Sequence, residues 1–364
     1  MRFRRSLLIL PLLLAACAVP PAESSDTVLG FTPHPGAVEF ASATLDWVDE
    51  ATGLLALVPV GDCVTGIGSY ATDTGTVPVN WSGERGCAKL VLGAIPEGTP
   101  GQAIRPVTTA VALTDGSIIA AGEKFARRGP GGRATLSALD GYKDTTALVK
   151  TGGRLVAIGT GAKNKTTTGP AAWLSDDAGV TSRRIDLPTG GGKARPDVLG
   201  VDGDSLLAAS GDAATVTLWS SADRGQTWAV STSPVGEDTT ITGVVRAGAE
   251  WLVFGGAGRE SGRRTPVLLR GNPGGWKLEG LAQFGEGGIV AGTVDKTGNA
   301  ILLGRDFDRA KTVKRPRYCA AVWVQDGASW ERGELGCAEQ PPRLVTTLAD
   351  GRVLIAGNRD LWLR

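Results

Sequence analysis

Short apolar runs that close on a glycine recur along the chain: Leu54–Gly61, Ser117–Gly122, Arg154–Gly159, Ser205–Gly211, Trp251–Gly255, Ala300–Gly304 and Arg352–Gly357. Their glycines stand 37 to 61 residues apart. Most runs follow a turn and an earlier apolar run, as in Val107–Thr114 before Asp115-Gly116, or Leu344–Leu348 before Asp350-Gly351. Asp-Gly between β-rich runs signals a hairpin, because glycine accepts the positive φ of a tight turn. After each glycine come a loop and a second hairpin, such as Val216–Ser221 and Thr227–Ser231. Ile118–Ala121 and Val353–Ala356 are apolar at every position, which suits strands covered on both faces.

Four short strands in each period of roughly 40–50 residues is the pattern of an all-β propeller. A single blade cannot bury both faces of its sheet, so blades stack in a ring and share a core. The count predicts a single β-propeller of seven blades, with six as the alternative. The last repeat stops at Leu361–Arg364 with only three strands. Its missing outer strand must come from the N-terminal side, and the reading places it around Ala37–Phe40. Closing the ring this way removes an open edge.

The N-terminal text changes the setting. Arg2, Arg4 and Arg5 precede a short apolar run, Leu7 to Leu14, and then Leu14-Ala15-Ala16-Cys17. This layout resembles a signal peptide ending in the bacterial lipobox, which implies cleavage before Cys17 and lipidation of its thiol. The expected organisation is a signal peptide at 1–16, a lipidated flexible tether at 17–36 and the propeller at 37–364. The protein would then sit outside the cytoplasm, held to the bacterial cell membrane by its lipid. Losing residues 1–16 removes three arginines and no acid, leaving 35 bases against 37 acids. That balance argues against nucleic acid as a partner. Cys63, Cys87, Cys319 and Cys337 remain, an even set suited to an oxidising compartment.

Ser221-Ala222-Asp223-Arg224-Gly225-Gln226-Thr227-Trp228 matches S-x-D-x-G-x-T-W, and Ser175, Asp177, Gly179 and Thr181 repeat it without the tryptophan. Weaker versions are Asp73–Thr76 and Gln325–Trp330. The aspartate accepts backbone N–H groups, the glycine takes a left-handed conformation and the tryptophan folds back over the hairpin. These octapeptides resemble the Asp-box of the bacterial neuraminidase repeat. The resemblance implies a propeller whose boxes join third and fourth strands and serve structure, not catalysis. Cys319 and Cys337 flank the Asp326–Ser329 turn symmetrically, and Cys63 and Cys87 flank Gly75. The expected pairs are therefore 63–87 and 319–337, each stapling the open end of an outer hairpin.

Candidate chemistry is sparse. The one histidine, His34, lies between prolines and leaves no Ser-His-Asp triad and no histidine-based metal site. Gly203-Asp204-Ser205-Leu206 spells a hydrolase signature, but it sits in a hairpin with no later histidine. Gly190–Ala194 lacks the flanking residues of a phosphate loop, and Asp306 with Asp308 reads as a solvated pair rather than a calcium site. No metal or cofactor is expected.

The loops joining second to third strands are assigned to 61–62, 122–133, 159–169, 211–214, 255–265, 304–317 and 357–360, where sixteen bases face seven acids. The candidate ligand face comprises Arg127, Arg128, Lys163, Lys165, Arg259, Arg263, Arg264, Arg309, Lys311, Lys314, Arg315 and Arg317. Converging basic loops at a concave mouth would attract anions. The expected function is non-catalytic binding or scaffolding of an anionic envelope glycan or protein. The alternative is a sialidase-like glycoside hydrolase, which would need a carboxylate pair beside the channel.

Overall fold

The computed structural model describes residues 27–41, 52–72, 75–94, 109–129, 132–162, 168–190, 195–258, 264–280, 284–285, 287–307, 318–338 and 341–364. They form seven four-stranded antiparallel sheets, one per blade. The N-terminal strand is β1 (Thr32–His34). Blade 1 contains β2 (Thr52–Val60), β3 (Cys63–Thr72), β4 (Gly75–Gly83) and β5 (Leu90–Leu92). Blade 2 contains β6 (Ala110–Ala112), β7 (Ile118–Ala121), β8 (Lys124–Gly129) and β9 (Gly132–Ala138). Blade 3 contains β10 (Tyr142–Thr151), β11 (Arg154–Ala162), β12 (Thr168–Ser175) and β13 (Arg183–Asp186). Blade 4 contains β14 (Val198–Asp202), β15 (Ser205–Gly211), β16 (Thr215–Ser221) and β17 (Ala229–Pro234). Blade 5 contains β18 (Thr240–Ala247), β19 (Glu250–Ala257), β20 (Thr265–Asn272) and β21 (Gly275–Leu278). Blade 6 contains β22 (Ile289–Val294), β23 (Ala300–Phe307), β24 (Tyr318–Asp326) and β25 (Ser329–Ala338). Blade 7 joins β26 (Leu344–Thr347), β27 (Val353–Ala356) and β28 (Leu361–Leu363) to β1.

The first strand of each blade faces the axis, and these inner strands touch in a closed cycle from β2 through β6, β10, β14, β18, β22 and β26 back to β2. The second strands form the core between sheets. Leu155–Ile158, Leu206–Ala209, Ile301–Leu303 and Val353–Ala356 are essentially inaccessible to solvent. Each such leucine or isoleucine contributes about 1.5–3 kcal/mol by leaving water.

In blades 3 and 5 the recurring glycine has a steric cause. Gly159 pairs with Thr145, and the inner strand then bulges so that Thr146 is skipped. A β-carbon at Gly159 would stand 2.0 Å from the carbonyl oxygen of Asp144. Blade 5 repeats this: Gly255 pairs with Ile241 before Thr242 is skipped, and its β-carbon would stand 2.0 Å from Thr240 O. The bulged threonines then bridge blades, Thr146 Oγ1 donating to Pro196 O and Thr242 Oγ1 to Ile289 O, both at 2.6 Å. Tryptophans on third strands lock the connection leading into their own blade. Trp81, Trp173 and Trp219 donate Nε1–H to Glu39 O, Asp140 O and Pro188 O at 2.6–2.9 Å.

Four sequence expectations need correction. Leu54–Gly61 covers the innermost strand and first turn of blade 1, not its second strand; the counterpart glycine is Gly68, opposite Leu54. Gly75 and Thr76, from the segment read as a weak box, therefore open the third strand instead of joining third to fourth. Ring closure uses β1, with Thr32 opposite Leu363 and His34 opposite Leu361. Phe31 is fully buried, so the packed domain includes residues assigned to the tether. Ala37–Phe40 instead runs on to blade 1, where Val38 forms a parallel bridge with Leu90.

Both disulfides pair as expected. Cys319–Cys337 closes the open end of the β24–β25 hairpin. Cys63–Cys87 differs, joining the start of β3 to the short 3-10 turn Arg85–Cys87 between β4 and β5.

Candidate functional site

Because neighbouring strands are antiparallel, successive turns alternate between two rims. Connections between blades and between second and third strands lie on one, called here the upper rim. First-to-second and third-to-fourth turns lie on the lower rim.

The two octapeptides occupy lower-rim turns of blades 3 and 4 and share one hydrogen-bond pattern. Ser221 Oγ donates to Asp223 Oδ1 at 2.8 Å and accepts from Gly225 N at 2.9 Å. Thr227 donates its N–H and hydroxyl to the two Asp223 oxygens at 2.9 and 2.6 Å. Trp228 Nε1 closes the turn on Gly225 O at 2.9 Å. Ser175, Asp177, Gly179 and Thr181 repeat the first four contacts within 0.2 Å. The residue before each glycine, Ala178 or Arg224, is also left-handed, at φ 56° and 57°. Partial burial opposes the charge on Asp223, but the bonds from Thr227, Ser221 and Gln226 outweigh it and hold the carboxyl at about 2. These carboxylates brace their own turns.

Arginines knit this rim between blades. Arg154 holds Asp176 through two bonds, at 2.6 and 2.9 Å, and reaches Arg224 O of the next blade at 3.3 Å. Arg352 does the same across the ring junction, donating to Gly86 O at 2.7 Å. Arg127 and Arg128 belong here too, a correction to the expected ligand face. They lie on β8, opposite Ile119 and Ile118, because the second-to-third turn of blade 2 is only Gly122-Glu123. Arg127 is paired with Asp115, and Arg128 donates to Asn80 Oδ1 at 2.5 Å. Arg133 lies on the adjoining β9.

On the upper rim, Arg264 is the one member of the expected ligand face among the described residues. Its stem runs along Gly256 and Gly288, where an added β-carbon would meet it within 4 Å, and its carbonyl accepts from Gly287 N at 2.5 Å. It thus lies over the seam between blades 5 and 6. Lys163, Lys165, Arg259, Arg263, Arg309, Lys311, Lys314, Arg315 and Arg317 lie outside the described residues, as does Cys17. The strand ends that anchor their connections, β11–β12, β19–β20 and β23–β24, all face this rim.

Three upper-rim features were not singled out from sequence. Arg195 joins Asp144 at 2.7 Å and Asp197 at 3.1 Å, while Ser210 donates to Asp197 at 2.8 Å. This cluster brings two carboxylates together beside inner strands, but ties them as ion pairs between blades 3 and 4. Arg343 crosses the ring junction to Leu54 O at 3.1 Å. At the outer seam of blades 7 and 1, a cleft of about 640 Å³ is lined by Gly36, Val38, Glu39, Phe40, Lys89, Leu92, Gly93 and Arg359. There the Arg359 guanidinium lies 3.9 Å over the Phe40 ring. The Lys89 ammonium, 2.5 Å away, and the Leu92 N–H hold the Glu39 carboxyl below the usual range. The available signal was position: Arg195 and Arg343 each stand just ahead of an inner strand. Among the described residues, no group of three His, Cys, Asp or Glu side chains is placed to hold a metal ion.

No family model matches the chain, and no curated protein matches it. Solved structures do. A streptogramin B lyase structure superposes with a TM-score of 0.58 at 11% identity, covering 92% of this chain and 97% of that one. The structure of YCF48 bound to a D1 peptide gives 0.54 at 11% identity, covering 89% and 97%. At this identity the likeness establishes the β-propeller fold.

Proposed function

We propose that this protein is a non-catalytic binding propeller, lipid-anchored outside the cytoplasm through Cys17, whose upper rim takes an anionic envelope glycan or protein. The observation that carries the reading is a charge bias that survives the corrected strand boundaries. With the observed strand ends, the second-to-third connections hold eleven bases and six acids, in a mature chain with more acids than bases. Arg264 and Arg359 stand at this rim. The lower-rim arginines Arg127, Arg154 and Arg352 are spent on carboxylates and carbonyls within the ring. Arginine's planar fork suits carboxylate, sulfate or phosphate.

The test combines binding with fractionation. The wild type should bind isolated envelope polyanions, with heparin as reference polyanion, and lose affinity as added salt shortens the Debye length toward about 8 Å. Changing Arg263, Arg264, Arg315 and Arg317 together to glutamate should abolish that binding and leave the melting transition in place. Cys17→Ala should move the protein from membranes to the soluble fraction, since two acyl chains are what make such an anchor lasting. A wild type without salt-sensitive binding would end the charged-rim reading. Release of sugars from an anionic glycan by the wild type would replace it with the hydrolase alternative.

A further inference from the structure

The two disulfides have opposite surroundings. Cys63 and Cys87 are buried at 3% and 0% exposure within the cluster that includes Leu54, Val64, Trp81 and Leu90. Backbone covers the Cys63 sulfur so closely that a β-carbon on Gly83 would stand 2.0 Å from it. Cys337 is exposed and Cys319 half-buried. They are directly opposed on β24 and β25, and β25 is the outer strand of its sheet.

The ladder around the exposed pair is itself divided. Ala320 pairs with Gly336 but Ala321 pairs with Glu334, so Leu335 is left out as a bulge. Beyond it only Tyr318–Ala338, Cys319–Cys337 and Ala320–Gly336 remain, as a short ladder end. On the other side, pairing runs unbroken from Ala321–Glu334 to Asp326–Ser329. The third strand is anchored independently by β23, from Ile301–Val324 to Phe307–Tyr318. Opening this disulfide therefore frees one ladder end and leaves the blade's sheet paired.

We propose that Cys319–Cys337 is a thiol–disulfide exchange site for an external dithiol, whereas Cys63–Cys87 is a permanent staple. A thiolate of the dithiol attacks the Sγ of Cys337, the more exposed residue of the pair, and forms a mixed disulfide. The Cys319–Cys337 bond breaks, and Cys319 leaves as a thiolate that takes up a proton. The second thiol of the dithiol then attacks its own sulfur in the mixed disulfide and releases Cys337 as a thiol. The dithiol ends as a disulfide, and its two electrons rest on the cysteine pair; an oxidised dithiol reverses the sequence. Exchange requires approach to a sulfur. At Cys63–Cys87 that approach must wait for the core to open. The inference is independent of what the upper rim binds.

The oxidised full chain is treated with graded dithiothreitol in native buffer, quenched, alkylated with N-ethylmaleimide and digested for mass spectrometry. Cys319 and Cys337 should be labelled at least about a hundredfold faster than Cys63 and Cys87, with circular dichroism and the melting transition retained. Equal labelling rates, or labelling of Cys319 and Cys337 only in denaturant that unfolds the chain, would overturn the proposal. The double variant Cys319→Ser, Cys337→Ser gives an independent check. It should fold and keep Cys63–Cys87 unlabelled under the same conditions; an unfolded double variant would show the bond to be an obligatory staple.

Discussion

At the end of β16, Asp223 accepts from Thr227 N, Thr227 Oγ1 and Ser221 Oγ, so that one carboxylate defines a whole turn. Its folded value of about 2 lies below its ordinary 3.8. Because the folded value is the lower one, the contribution to stability is complete above about pH 4. It is lost as pH falls toward about 2. Asp223→Asn should cost about 1 kcal/mol near neutral pH, since an amide nitrogen cannot accept from the threonine hydroxyl. Urea unfolding at a series of pH values should show this difference closing between about pH 4 and pH 2; a pH-independent difference would mean the charge is not what matters. This scale was the most legible in sequence. Serine, aspartate, glycine and threonine at fixed offsets carry their geometry locally, and the octapeptide at Ser221–Trp228 needs no distant residue to form it. Arg154 was not legible in the same way, because its partner Arg224 O belongs to another blade.

Strands obey longer rules. The closing glycine of the repeated run was visible, but at Gly159 and Gly255 its reason lies in the neighbouring strand, where a bulge sets a carbonyl where a β-carbon would stand. Gly159→Ala should therefore be destabilising by about 1–3 kcal/mol or more, because backbone must move to admit the methyl group. Gly122→Ala, with nothing within 4 Å of the added carbon, should be close to neutral. Thermal unfolding of the two variants side by side checks the contrast, and equal melting temperatures would reject the steric account. The same dependence on neighbours explains the slip in blade 1. Leu54–Val60 is apolar enough to read as a core strand, whereas the true second strand carries Gly66, Gly68 and Ser69 and reads as a poor one. Burial, not propensity, assigned the roles.

For the whole molecule, the need for a fourth strand in blade 7 followed from counting strands. Its location did not, because Thr32-Pro33-His34 is weak strand text. Proline cannot donate to a ladder, and it is tolerated here because β1 is an outer strand with one paired side. The anchor is Phe31, fully buried against blades 6 and 7 with Ile301, Val322, Val353 and Trp362 in its cluster. Phe31→Ala should cost about 3–5 kcal/mol, read from denaturant midpoints. A loss under about 1 kcal/mol would show that the closing strand is held by its ladder alone. Arg195 and Arg343 were illegible for a related reason: their partners are set by where blades meet, which only the assembled ring defines.

Ring closure also sets a timetable. Six of the seven sheets are built from contiguous text, so each can form as soon as its own stretch of chain is available. The seventh cannot. Gly36 N meets Asp360 across 324 positions of sequence, and β1 has no partner until β28 exists. Loop-closure entropy grows only slowly with length, so that last joint is thermodynamically modest. In time it is late, because contacts so far apart are the slowest to find. Until then the chain is an arc with two bare flanks, and the unpaired edge of β28 is the surface most open to pairing with the wrong chain.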